Sequence, residues 1–323
     1  MRNLPLFLFT FVFIPASAQD FRIIKTSNEA TPRHENGFVA AGDKLYLIGG
    51  RGVKPVEAFD PKTNQWEKLG ETPMEIHHFQ PVAYQGKIYV IGALTGKFPH
   101  ETPIPNVLIF DPEKDRWQTG ASIPENRRRG GAACAVSGSK AYITGGIIDG
   151  HSSGTVNWLD VYDFETEEWR ILPDAPRKRD HVTSVIAKGH LYILGGRQTD
   201  YHEEDNFTAF FKTNQRAVDR FDIKKEVWAT LSGNLPVPTA GGGAVYLNNK
   251  IYYTGGETAQ EKAHHEVQVF SLDSQTWEVA GSLETGRHGT CLTVLGNRIY
   301  IASGSENRGG GPELSSIESL ELK

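Results

Sequence analysis

Cysteine and methionine are scarce in this 323-residue chain, with two of each. Only Cys134 and Cys291 could pair, and an oxidising compartment would permit it. Basic residues give no surplus: 34 Lys and Arg stand against 39 Asp and Glu, for a formal charge of −5 and a pI near 6.1. General nucleic-acid binding needs a basic face, so no nucleic-acid partner is expected. No 18-residue apolar run occurs in the body of the chain, so no membrane-spanning helix is predicted. Neither H-x-H nor H-E-x-x-H spacing occurs, which removes the usual single-segment metal motifs.

The first residues differ in character. Arg2 supplies a positive start, Leu4 to Ile14 is a short apolar stretch, and Ala16-Ser17-Ala18 is a small-residue ending. This pattern predicts a secretory signal peptide over residues 1–18, cut after Ala18, and hence a secreted or periplasmic protein. No cysteine follows the cut, so no lipoprotein anchor is expected. Residues 19–323 read as one domain.

What the chain has in quantity is glycine, at 34 residues, and its placement is regular. A tyrosine followed three residues later by a glycine doublet recurs. The copies are Tyr46 with Gly49-Gly50, Tyr142 with Gly145-Gly146, Tyr192 with Gly195-Gly196 and Tyr252 with Gly255-Gly256. Two copies are degenerate: Tyr89 with Gly92-Ala93 and Tyr300 with Ser303-Gly304. The tyrosines are 43, 53, 50, 60 and 48 residues apart. Downstream of the first five stand Trp66, Trp117, Trp169, Trp228 and Trp277, four of them preceded six residues earlier by Asp60, Asp111, Asp163 and Asp222. Each copy reads as four short strands separated by turns, the signature of an all-β repeat fold.

These six phased copies resemble the kelch family over nearly all of residues 19–323. The resemblance implies a six-bladed β-propeller. The sixth copy lacks its Trp: Leu314 to Leu322 supplies a third strand, and Phe21-Arg22-Ile23-Ile24-Lys25 is the matching fourth. The N-terminal strand is therefore expected to close the last blade. The same register puts Cys134 and Cys291 in blades on opposite sides of the ring, beyond the roughly 7 Å that a bridge allows, so both are expected as buried free thiols.

The loops fall into two sets. Turns at one end are short, as at Gly42-Asp43, while 93–106, 147–157 and 197–215 at the other end are long and chemically rich. Function gathers on such loops. Sixteen residues before the glycine position stand Arg33, Arg129, Arg179 and Arg287, with Ile76 and Thr239 in the other two copies. At equal height around the axis, four arginines are expected to ring one mouth and attract anions. The alternative is that each guanidinium satisfies a neighbouring carbonyl or acid. His34, His77, His78, His151, His181, His264, His265 and His288 are expected at the same end, with Asp180, Glu101, Asp149, Glu257 and Glu306. The candidate catalytic residues are His181, Asp180, His78 and His151. The candidate ligand contacts are Arg33, Arg129, Arg179, Arg287, Arg197, His77, His288 and Trp158, the last as a sugar platform.

Three functions fit these residues. The first is a binding module for an anionic ligand, an acidic carbohydrate or an acidic peptide segment; some kelch domains carry peptide-binding arginines at this repeat position. The second is an isomerase, because secreted six-bladed kelch proteins of this size look like the bacterial sialate mutarotases. The third, a copper oxidase resembling galactose oxidase, needs tyrosines and a cysteine at the metal; six of the eleven tyrosines are read as core and neither cysteine lies in a mouth loop. No cofactor is expected, with a metal at the histidines left open, and the protein is expected to be a monomer.

Overall fold

The computed structural model describes residues 20–322, so the predicted leader lies outside the described residues. Six four-stranded antiparallel sheets form the blades of a propeller. Blade 1 holds Asn36–Ala41, Lys44–Gly49, Pro55–Asp60 and Gln65–Glu71. Blade 2 holds Val82–Tyr84, Lys87–Val90, Asn106–Asp111 and Arg116–Ser122. Blade 3 holds Ala133–Ser137, Lys140–Thr144, Leu159–Asp163 and Trp169–Leu172. Blade 4 holds Thr183–Ala187, His190–Leu194, Asp219–Asp222 and Val227–Thr230. Blade 5 holds Ala240–Leu247, Lys250–Glu257, Glu266–Ser271 and Thr276–Ser282. Blade 6 combines Leu292–Leu295, Arg298–Ala302 and Ile317–Glu321 with Arg22–Ile23. Two short ribbons, Leu94–Thr95 with Thr102–Pro103 and Ile147–Asp149 with Ser153–Thr155, rise from the long loops. No helix among the described residues is long and apolar enough to cross a membrane.

The repeated aromatics build the blade core. Each phased Trp is the cross-strand partner of an aromatic on the third strand: Phe59 with Trp66, Phe110 with Trp117, Tyr162 with Trp169, Phe221 with Trp228 and Phe270 with Trp277. Their ring centroids lie 4.9–5.1 Å apart in tilted contact, a favoured aromatic geometry. The glycine doublets make the joints between blades. Gly50, Gly146, Gly196, Gly256 and Gly304 each donate a backbone hydrogen bond to a carbonyl of another blade's entry segment, at 2.8–3.0 Å. A Cβ on Gly145 would lie 2.4 Å from the Arg179 carbonyl oxygen, and its φ of +65° is left-handed, so only glycine suits the joint.

The arginines expected at the mouth are instead fully buried and structural, which corrects that expectation. Arg33, Arg129, Arg179 and Arg287 are all 2% exposed or less. Arg33 pairs with Glu57 at 2.5 Å, Arg129 with Asp160 at 2.6 Å, Arg179 with Asp219 at 2.6 Å, and Arg287 with Glu318. Each also donates to a carbonyl sixteen residues on: Gly49, Gly145, Gly195 and Ser303, at 3.0–3.1 Å. The acids stand at one repeat position, three residues before the end of the third strand. Where the arginine is missing, so is the acid: Ile76 goes with Leu108, and Thr239 with Gln268. A guanidinium buried here needs a carboxylate, and a carboxylate buried here needs a guanidinium.

The ring closes as expected. Arg22 pairs with Ser319 and Ile23 with Glu318, while Phe21 is wholly buried among Val267, Leu283, Ile299 and Leu320. Deleting residues 19–27 removes that strand and its anchor, and the melting temperature should fall by roughly 10 °C in a thermal scan. An Arg33→Ile variant leaves Glu57 buried without its cation and should lose about 3–5 kcal/mol in denaturant unfolding. Arg33→Ile with Glu57→Leu reproduces the blade 2 pair and should recover most of that loss.

Candidate functional site

The residue two places after each arginine position turns the backbone left-handed. The six are Glu35, His78, Gly131, His181, Gly241 and Gly289, with φ between +48° and +69°. All six line one small axial cavity of about 50 Å³. Backbone hydrogen bonds link neighbours around the axis: His78 to Glu35, Gly131 to His78, Gly241 to His181, and Gly289 to Gly241, at 2.7–3.0 Å. Three copies are glycine, the residue this conformation favours. The other three hold Glu35, His78 and His181 there at a cost of about 1–3 kcal/mol each, and such strain gathers at functional sites.

Around this ring the imidazoles of His78, His151 and His181 meet face to edge, with centroids 4.9–5.2 Å apart. A ring nitrogen of each lies within 4.8 Å of the other two. His181 donates from Nδ1 to Asp180 at 2.5 Å. Asp180 also accepts from Thr155 Oγ1 at 2.7 Å and the Thr199 amide at 2.9 Å. His151 donates from Nδ1 to the buried Glu101 at 3.1 Å. Glu101 also holds Arg51 at 2.7 Å. His77 Nε2 lies 3.2 Å from the Gly96 carbonyl and must donate to it. Its Nδ1 is then an acceptor, and His78 Nδ1, 2.6 Å away, is the donor.

Burial sets the charges. It pushes the His78 and His181 imidazoles below their usual pKa; the neighbouring histidines push His78 further and Arg197 pushes His181 further. Burial alone would raise Asp180, but His181 and Arg197 hold it ionised at about 2. Glu257 is likewise at about 2, with His288 and Arg197 outweighing its burial. Burial alone would raise Glu35 too, but the adjacent His288 and His181 rings hold it below the ordinary carboxylate value.

Beside this floor lies a cavity of about 590 Å³. One side is phenyl: Phe98, Phe207, Phe210 and Phe211, in mutual contact with centroids 4.6–6.0 Å apart. Arg51, Arg308, His34, His151, Glu35 and Glu257 supply its polar groups. The long loops 93–106, 147–157 and 197–215 contribute Phe98, His151 and, from the last, Arg197, Phe207, Thr208, Phe210 and Phe211.

The structure brings His181, Asp180, His78, His151 and His77 together. Arg197 lies in the cavity wall, paired with Glu257 and stacked on Phe210 at 4.5 Å and Phe211 at 5.0 Å. His288 is buried between Glu35 and Glu257, at 3.7 and 3.6 Å. Trp158 is partly buried, and the Arg127 guanidinium lies over its ring at 4.3 Å. His264 turns to Glu266 at 3.1 Å. The sequence reading passed over Glu35, Arg51, Arg308 and the four phenylalanines. Glu35 could have been found by aligning the six copies two residues past the arginine. The phenylalanines, in loops of unique length, left no repeat signal.

The comparisons agree on the architecture. The KLHDC2/KLHL20/DRC7 kelch-repeats domain matches residues 81–304, and the kelch motif matches residues 32–73. Kelch-like protein terF of Aspergillus terreus is 27% identical over 84% of this chain and 61% of its own length. Kelch-like protein 40 of Xenopus laevis is 25% identical over 59% of this chain and 31% of its own. Alpha-scruin of Limulus polyphemus is 29% identical over 73% of this chain and 25% of its own. The chain thus spans less than two thirds of the length of these relatives. The solved structure of YjhT superposes with a TM-score of 0.75 over 90% of this chain and 95% of that one, at 16% identity, a likeness of fold. The chain belongs to the kelch-repeat family of β-propellers.

Proposed function

We propose that the chain binds a compact anionic ligand, an acidic carbohydrate by class, in the 590 Å³ cavity. The observation that carries this is the pairing of a phenyl wall with the exposed guanidinium of Arg308, and with Arg51 held on one side by Glu101, in one concave site. A sugar acid has an apolar ring face for the phenyl groups and a carboxylate for a guanidinium. The anion contacts are not the four arginines that the repeat pattern suggested, since those are spent on Glu57, Asp160, Asp219 and Glu318. The predicted leader supports a place outside the cytoplasm, and the resemblance to sialate mutarotases supports the ligand class.

A second reading, mutarotation or epimerisation of that sugar, draws on one further observation. The Glu35 carboxylate and the His151 imidazole face the same cavity. A base and an imidazole against one ligand can relay the proton of ring opening.

Titration calorimetry with uronic and sialic acids, against their neutral counterparts, tests the binding. Acidic sugars should bind in preference, and equal affinity for the neutral ones would sink the anionic assignment. Arg308→Ala and Phe207→Ala, both exposed positions, should each weaken binding about tenfold with an unchanged melting temperature. Anomer exchange followed by NMR separates turnover from binding alone: catalysis predicts faster exchange that Glu35→Gln abolishes.

A further inference from the structure

We propose that His78, His151 and His181 form a metal centre for a late first-row divalent cation, zinc foremost, at the junction of the axial ring and the 590 Å³ cavity. The three side chains come from separate blades, so no contiguous motif announces them. The hydrogen bonds fix their tautomers. Each Nδ1 carries its proton toward a dedicated acceptor: His181 toward Asp180, His151 toward Glu101, and His78 toward His77. Each Nε2 is thereby left with a bare lone pair, the form in which imidazole ligates a metal. The Nε2 of His181 is buried with no hydrogen-bond partner, and that of His78 meets the Glu35 carboxylate 3.2 Å away but outside hydrogen-bond geometry. A buried polar nitrogen without a partner is unfavourable unless something fills the gap. The histidine–carboxylate arrangement is also what supports ligands in metal sites, where the outer acceptor orients the ring and raises its basicity.

The surroundings suit a cation. Glu35 Oε2 lies 3.2 Å from His78 Nε2, placing a carboxylate beside one of the three imidazoles. Three imidazoles and a fourth position for carboxylate or water make a tetrahedral set of the zinc type. An ion about 2.0–2.1 Å from each nitrogen can bridge three atoms that already lie within 4.8 Å of one another. His151 and Glu35 line the larger cavity too, so a ligand there could reach an open coordination position. The metal site stands independently of the carbohydrate reading.

The full chain, stripped with a chelator and dialysed, is titrated with ZnCl₂ by calorimetry, and with Co²⁺ while its visible spectrum is recorded. The expected result is one ion per chain, a rise in melting temperature on loading, and the intense visible bands of four-coordinate Co²⁺. His151 sits on a loop outside the blade cores and its partner Glu101 keeps Arg51, so His151→Ala should fold. It should weaken the site at least about 100-fold and lose the Co²⁺ bands. Glu101→Gln keeps all three ligands and should weaken the site by about 10–100-fold. Failure of the stripped chain to take up stoichiometric metal overturns the proposal. So does uptake that His151→Ala leaves unchanged, which would place the ion elsewhere.

Discussion

Each blade enters the ring through a residue whose backbone turns left-handed, and hydrogen bonds between those six residues hold the axis. That crowded point allows little choice. Glycine relieves the strain at Gly131, Gly241 and Gly289. Side chains at the other three positions accept the strain and are aimed together at the axis. Glu35, His78 and His181 therefore meet there because the propeller brings six equivalent points to one place and three of them are not glycine. The polar floor is thus a direct product of the symmetry of the fold and of its violation.

The arginine clasps serve this geometry from behind. Each guanidinium ties the entry segment of a blade to the glycine joint and to the third strand, so the left-handed residue two places on is fixed in height. Breaking one partner of such a pair leaves a buried charge, whereas replacing both by apolar residues is tolerated far better. Blade 2 uses Ile76 and Leu108 in that way, and it is also the blade whose ring position carries His78.

The channel differs along its length. Away from the histidines it is lined by inner-strand residues such as Val82, Cys134, Ala135, Val185, Ala244 and Leu292, while Cys291 lies between this stretch and the axial cavity. Both thiols are free, Cys134 buried and Cys291 partly so, and burial pushes them up to about 12 and about 11. They are poor nucleophiles and poor metal ligands in that state. The clustered histidines, acids and phenyl groups lie at the end carrying the long loops.

The repeat by itself determined the architecture. Tyr, Gly-Gly and Trp recur because every blade must solve the same packing problem, so six copies spell the fold, and Phe21 to Lys25 could be matched to the missing strand. The same regularity misled at Arg33, Arg129, Arg179 and Arg287. Equal height around the axis was legible, but the direction of each side chain was not. That direction depends on Glu57, Asp160, Asp219 and Glu318, which lie 24–40 residues away in sequence and meet the arginines only once the third strand has paired. The phenyl wall and the meeting of His78, His151 and His181 were likewise decided by tertiary structure. They join loops and ring positions of different blades, and no local spacing records a contact that exists only when the ring is closed.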